Sequence, residues 1–202
     1  MSDCCHSGCE LDRLHERQRG ALYLVLGINA IMFVVILIAA LYGKSSALLA
    51  DSLDNLGDAL TYGLSLYAVS KGSDTKARVA LFKGGLIFLA ALSVTAQIIY
   101  KLVVPSLPHF EVMSAFSLMG LAANSLCLFV LWRHRREDVN MSSVWECSRN
   151  DIASNLSVFV AAGAVWFFGS AWPDIGVAAG LVCLLLRSAY RVISSACAEL
   201  RK

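Results

Sequence analysis

At 202 residues, with 57% hydrophobic and only 16% charged side chains and a mean hydropathy of +0.64, the chain falls outside the soluble range of about 25% charged residues. A net charge of +2, carried by basic residues scattered through short segments, excludes an extended nucleic-acid surface. The composition instead defines an all-α integral membrane protein. Its length accommodates about six helices of about 20 residues and leaves little for a separate soluble domain.

The first segment, residues 1–19, mixes charges of both signs and lacks the basic-then-apolar order of a cleaved signal. It is read as a cytoplasmic tail carrying a Cys/His cluster, Cys4, Cys5, His6 and Cys9, a candidate auxiliary metal site whose spacing matches no closed zinc-finger pattern. Six apolar runs follow, from about Ala21 to Tyr42, Ser46 to Ser70, Ala80 to Val104, Glu111 to Trp132, Ser143 to Phe168 and Asp174 to Ser194. Turn residues separate them: Gly43 and Lys44, Gly72 to Asp74, Pro105 and Pro108, Arg133 to Asp138, and Gly169 to Pro173. The transmembrane unit is thus expected over residues 20–196, with 197–202 as a short cytoplasmic end.

Lys and Arg set the orientation. Arg13, Arg17 and Arg19 precede the first run; Lys71, Lys76, Arg78 and Lys83 lie around the second connection, and Arg133, Arg135 and Arg136 in the fourth. Arg187, Arg191, Arg201 and Lys202 lie toward the C-terminus, whereas the opposite side has only Lys44 and Lys101. The positive-inside rule therefore places both termini in the cytoplasm. Trp132, Trp166, Trp172, Tyr42 and Tyr100 near the ends of runs suit interfacial anchoring. The seven cysteines do not form the dense framework of a secreted disulfide protein, so reduced thiols are expected.

Polar residues interrupt two of the runs: ADSLDNLGD, with Asp51, Asp54 and Asp58, and ECSRND, with Glu146, Cys147, Arg149 and Asp151. At membrane depth a charged side chain costs roughly 2.5 to 3.5 kcal/mol on insertion scales, so such residues mark function. Four residues turn a helix through about 400°, which puts Asp54 above Asp58 and Cys147 above Asp151 on common faces. Two such pairs on packed helices supply four donors, which is what a tetrahedral divalent ion needs. A thiolate disfavours Mg²⁺ and Ca²⁺; Zn²⁺ leads, with Cd²⁺, Co²⁺ and Fe²⁺ as further candidates.

Asp51, Asn55, Asn150 and Asn155 are candidate supporting residues around the ligands. Arg149 is read either as a counter-charge to a carboxylate in the absence of metal or as a snorkelling interfacial residue. Hydrogen bonding between helices is the simpler reading for Asn29, Ser52, Asn124 and Ser125, as is packing for Cys147 taken alone. Gly27, Gly57, Gly63, Gly163 and Gly180 are candidates for close helix approach, and the lone histidines His15, His109 and His134 are read as solvated or interfacial.

The run SSALLADSLDNLGDAL resembles the second-helix signature of the cation diffusion facilitator family of divalent-metal transporters. Its ligand pair maps onto Asp54 and Asp58, its preceding aspartate onto Asp51, and the fifth-helix pair onto Cys147 and Asp151. The run NDIASNLSVFVAA is similar to family members as well. The resemblance covers essentially residues 20 to 196 and implies export of a divalent metal by proton antiport, a homodimer, no resident cofactor and no enzymatic activity. A bacterial inner (plasma) membrane is the expected location, with lipid, metal and protons as partners.

Three departures stand out. Cys147 replaces the usual His or Asp, the chain stops at Lys202 where the family's cytoplasmic C-terminal domain is expected to follow, and the fourth connection holds one histidine, His134. A non-transporting metal-binding or partner subunit is the alternative. A metal-dependent membrane enzyme is a lesser one, given how few polar residues remain to hold an organic substrate.

Overall fold

The computed structural model describes the backbone of residues 3–68, 73–132 and 139–200, and side chains from Gly20 onward apart from Ser65, 67–76 and 133–148. Its helices are α1 (Asp3–Gly43), α2 (Ser46–Ala68), α3 (Ser73–Val103), α4 (Phe110–Trp132), α5 (Val139–Phe168) and α6 (Trp172–Leu200). No strand occurs among the described residues. The backbone of the segment read as a tail is helical from Asp3 and continuous with the first apolar run.

Among the described residues five helices are long and apolar enough to cross a bilayer, within Gly20–Gly43, Ala77–Val103, Phe110–Trp132, Arg149–Phe168 and Trp172–Leu200. The exception is α2, which has 23 residues, as α4 does, but carries three aspartates. Its place in the bundle explains how it tolerates them. It packs against α1, α3, α5 and α6, and among the described residues no exposed large apolar side chain lies on it.

The other five helices turn such side chains outward, among them Ile31, Phe82, Phe129, Val160 and Leu184. That many exposed apolar groups are compatible only with a hydrocarbon surround. Trp132, Trp166, Trp172, Tyr42 and Tyr100 also point outward near helix ends, where their amphipathic rings fit the interface. The fold is that of an integral, multi-pass membrane protein.

One core cluster draws on all six helices, with Ile36, Leu48, Val94, Met113, Val158 and Leu185 among its members. A second joins Leu22, Val25, Tyr62, Cys127 and Leu131 from α1, α2 and α4. The glycines that permit close packing are not those expected. A Cβ on Gly27, Gly163 or Gly180 would meet nothing, and Gly57 and Gly63 have ordinary contacts, whereas a Cβ on Gly84 would lie 2.6 Å from Ile193 Cγ1. Gly84 thus sets the approach of α3 to α6.

The connections at 43–46, 104–109 and 169–171 gather at one end of the bundle, called here the far end because the chain termini lie at the other. His109 N donates to Gly43 O (2.9 Å), joining two of these connections. Lys44 follows α1 in a left-handed conformation (φ 50°), and Gly169 does the same after α5 (φ 58°) while its N–H closes the last turn on Val165 O at 2.9 Å. His109 is exposed, with its ring edge-on to Tyr42. His15 and His134 lie outside the described side chains.

Candidate metal site

The two interrupted runs become α2 and the first half of α5, which pack against each other. Asp51, Asp58 and Asp151 are buried and Asp54 is half-buried. Asp58 and Asp151 face each other across the α2–α5 contact within hydrogen-bonding reach, and Asp54 and Asp51 are close enough to act electrostatically on Asp151. Asp54 in turn feels both Asp58 and Asp51. Four carboxyl groups from two helices therefore share one neighbourhood where α2 meets α5.

The same local device recurs on both helices. Asn55 Nδ2 donates to the carbonyl of Asp51 (2.9 Å), and Asn155 Nδ2 donates to that of Asp151 (3.0 Å). Each amide is spent four residues back along its own helix. Asp51 Oδ2, Asp151 Oδ2 and Asn155 Oδ1 are buried and accept no hydrogen bond among the described residues, which makes them acceptors of the kind a cation compensates.

Asn150 and Arg149, by contrast, are exposed. Asn29, Ser52 and Ser125 also bond within their own helices, to Val25, Leu49 and Leu121 carbonyls, rather than between helices as expected. Short polar side chains on a helix reach the carbonyl a turn back more readily than a neighbouring helix.

Position 147 lies on α5 one turn before Asp151, but the Cys147 side chain is outside those described, as are Cys4, Cys5, His6 and Cys9. Among the described residues no three His, Cys, Asp or Glu side chains form a finished metal cage. Two neighbours went unnoticed in the sequence. Tyr62, fully buried one turn beyond Asp58 on α2, and Cys127, fully buried on α4 within electrostatic range of Asp58, both flank the carboxylates. Tyr62 continues the four-residue spacing of Asp54 and Asp58 and was legible in the sequence, whereas Cys127 belongs to no spacing motif and only the packing of α4 on the bundle reveals it.

Asn155 rests directly over Gly120 of α4, and any Cβ there would collide with its carboxamide. Gly120→Val is expected to push α4 from α5, costing about 1 to 3 kcal/mol of stability by overpacking. Thermal unfolding in detergent, compared with metal affinity of the folded fraction, will show whether both fall; an unchanged unfolding midpoint would refute the contact.

The architecture defines a class: a membrane-embedded helical bundle whose central helix buries carboxylates against a facing helix. Residues 22–200 match the model of the cation efflux transmembrane domain, and the chain belongs to that family of cation transporters. No curated protein matches the chain.

Proposed function

We propose that the chain exports a divalent metal from the cytoplasm, Zn²⁺ foremost and Cd²⁺, Co²⁺ or Fe²⁺ as related cargoes, in exchange for protons. Asp54, Asp58, Cys147 and Asp151 bind the ion, while Asp51, Asn55 and Asn155 support them. The observation that carries this reading is the meeting of Asp58 with Asp151 across α2 and α5. Two carboxyl groups make such a contact as a hydrogen bond only when a proton is shared between them. A metal that takes their place releases that proton, so binding and protonation are coupled. Rocking of the helices about the midplane site then exposes it to each side in turn.

The ion is cargo, and no resident cofactor is involved. The terminal end of the bundle faces the cytoplasm, in line with the Lys and Arg distribution, a bacterial inner membrane is the expected location, and a homodimer is the working assembly that the resemblance implies.

Uptake of Zn²⁺ or Cd²⁺ by sealed liposomes holding the purified protein tests the reading, because binding without flux would identify a metal-binding subunit instead. Proton coupling predicts the sign of the pH effect: affinity falls as pH falls. Each proton displaced on binding raises the apparent Kd by up to about tenfold per pH unit across the range in which the ligands protonate. Titrations at several pH values will check this, and a Kd independent of pH would exclude proton exchange.

Cys147→Ser removes the soft donor. It is expected to weaken Zn²⁺ and Cd²⁺ binding by about tenfold or more, Cd²⁺ the more strongly because it is the softer ion. Equal affinities in variant and parent, measured by competition with a chromophoric chelator, would remove Cys147 from the ligand set.

A further inference from the structure

The far end holds a second charged cluster that the metal site does not use. Asp174, in the first turn of α6, is completely buried and pairs with Lys101 of the last turn of α3, Oδ2 to Nζ at 2.8 Å, with both side chains all but inaccessible. The same carboxylate takes the place of a cap on a different helix. Ser46 N donates to its Oδ2 (2.9 Å), Ala47 N to its Oδ1 (3.0 Å) and Ser45 Oγ to its Oδ1 (2.6 Å). Ser45 Oγ also accepts from Leu48 N at 3.0 Å, so the side chain serves both α2 and α6. Three helix ends are thereby tied to one group, which meets the N-terminal N–H donors and positive dipole of α2 as well as the ammonium of Lys101.

Two observations give this knot a role beyond capping. A cavity of about 320 Å³ lies on its outer side, lined by Lys101, Pro105, Ser106, Gly169, Trp172 and others. On its inner side α2 leads from Ser46 to Asp51, five residues or about 7.5 Å along the helix axis. The ion pair thus stands between a far-end cavity and the first carboxylate of the column.

We infer that the Lys101–Asp174 pair is the far-end gate of the transport path: while it holds, α2 is fastened to α3 and α6 and the cavity ends at Lys101, and its parting opens the way from the cavity to Asp51. The inference rests on the transport reading for its purpose, but its test does not. Because α2 carries Asp51, Asp54 and Asp58, the pair also positions one half of the metal site.

The test places a reporter thiol behind the gate by Ala50→Cys, at a buried position next to Asp51. A membrane-impermeant thiol reagent is applied to sealed vesicles from the far-end side, and modification is followed on the peptide containing residue 50. Combined with Lys101→Met and Asp174→Asn, which remove both charges but keep one acceptor oxygen for α2, the reporter should react at least about tenfold faster than with the pair intact. The unfolding midpoint should fall less than in Asp174→Ala, since no charge is left alone and one acceptor oxygen remains for α2.

A merely structural pair predicts equal labelling in the two folded proteins, and that result overturns the gate. Should the double variant fail to fold, Ser45→Ala decides. It removes one donor and leaves both charges paired, so labelling should rise by a smaller factor, about two- to fivefold, and an unchanged rate overturns the inference. Faster labelling in a protein that carries no metal keeps the gate and sinks the transport reading. Transport with unchanged labelling does the reverse.

Discussion

Alanine at Asp58 or Asp151 will abolish metal flux into liposomes, by at least about 100-fold, because each change removes one side of the contact that joins α2 to α5. Loss of supporting groups alone costs about 10- to 100-fold in affinity or activity, so loss of a ligand belongs at or above the top of that range. The effect on stability should be small beside that on flux, because the change removes a shared hydrogen bond and, at the same time, a carboxyl group buried at depth. Asp51→Asn should cost less, about tenfold, since in the proposed site Asp51 supports the ligands from the outer turn. The measurements are Zn²⁺ or Cd²⁺ uptake, binding by competition and unfolding in detergent on the same preparations. Flux equal to the parent's in Asp58→Ala and Asp151→Ala would show that the ion travels elsewhere.

How much of this arrangement could be read from the chain depends on whether the information is local. Helix-length apolar runs and punctuating turns are local properties, and the six runs become six helices with boundaries shifted by a few residues at most ends. The four-residue spacing in ADSLDNLGD and ECSRND is local too, and it put Asp54 with Asp58 and Asp151 on helix faces that the fold then brings together.

What the spacing cannot encode is which neighbour a side chain meets. Gly120 looks like any glycine in an apolar run until Asn155 of α5 is laid over it. Cys127 reaches the carboxylates only because α4 closes with α1 and α2 around a shared core. Asn29, Ser52 and Ser125, expected to link helices, bond to carbonyls about one turn back on their own helices, since a partner there is always present and one on another helix depends on the global packing. Lys101 and Asp174 were the plainest case. They are 73 residues apart, and counting Lys101 as one of two far-side basic residues served the topology while hiding its partner.

That partner makes Asp174→Ala the most destabilising single change expected in the molecule. It removes an acceptor for Lys101 Nζ, Ser45 Oγ and the N–H groups of Ser46 and Ala47 in one step. An ammonium that is about 99% buried would lose its counter-ion, judged by a side-chain exposure of 1%. Breaking a buried pair by removing one member costs about 3 to 5 kcal/mol, a large share of the 5 to 15 kcal/mol that typically separates folded from unfolded chains. For a chain of this size that corresponds to a fall of about 6 to 20 °C in the unfolding midpoint. Lys101→Met should be milder, because the carboxylate it leaves behind keeps three donors and the positive end of α2. The order of the two variants is therefore the sharper prediction. If Lys101→Met proved the more damaging, the dominant interaction of Asp174 would be with the lysine charge, and the helix terminus would be incidental to holding α2 in place.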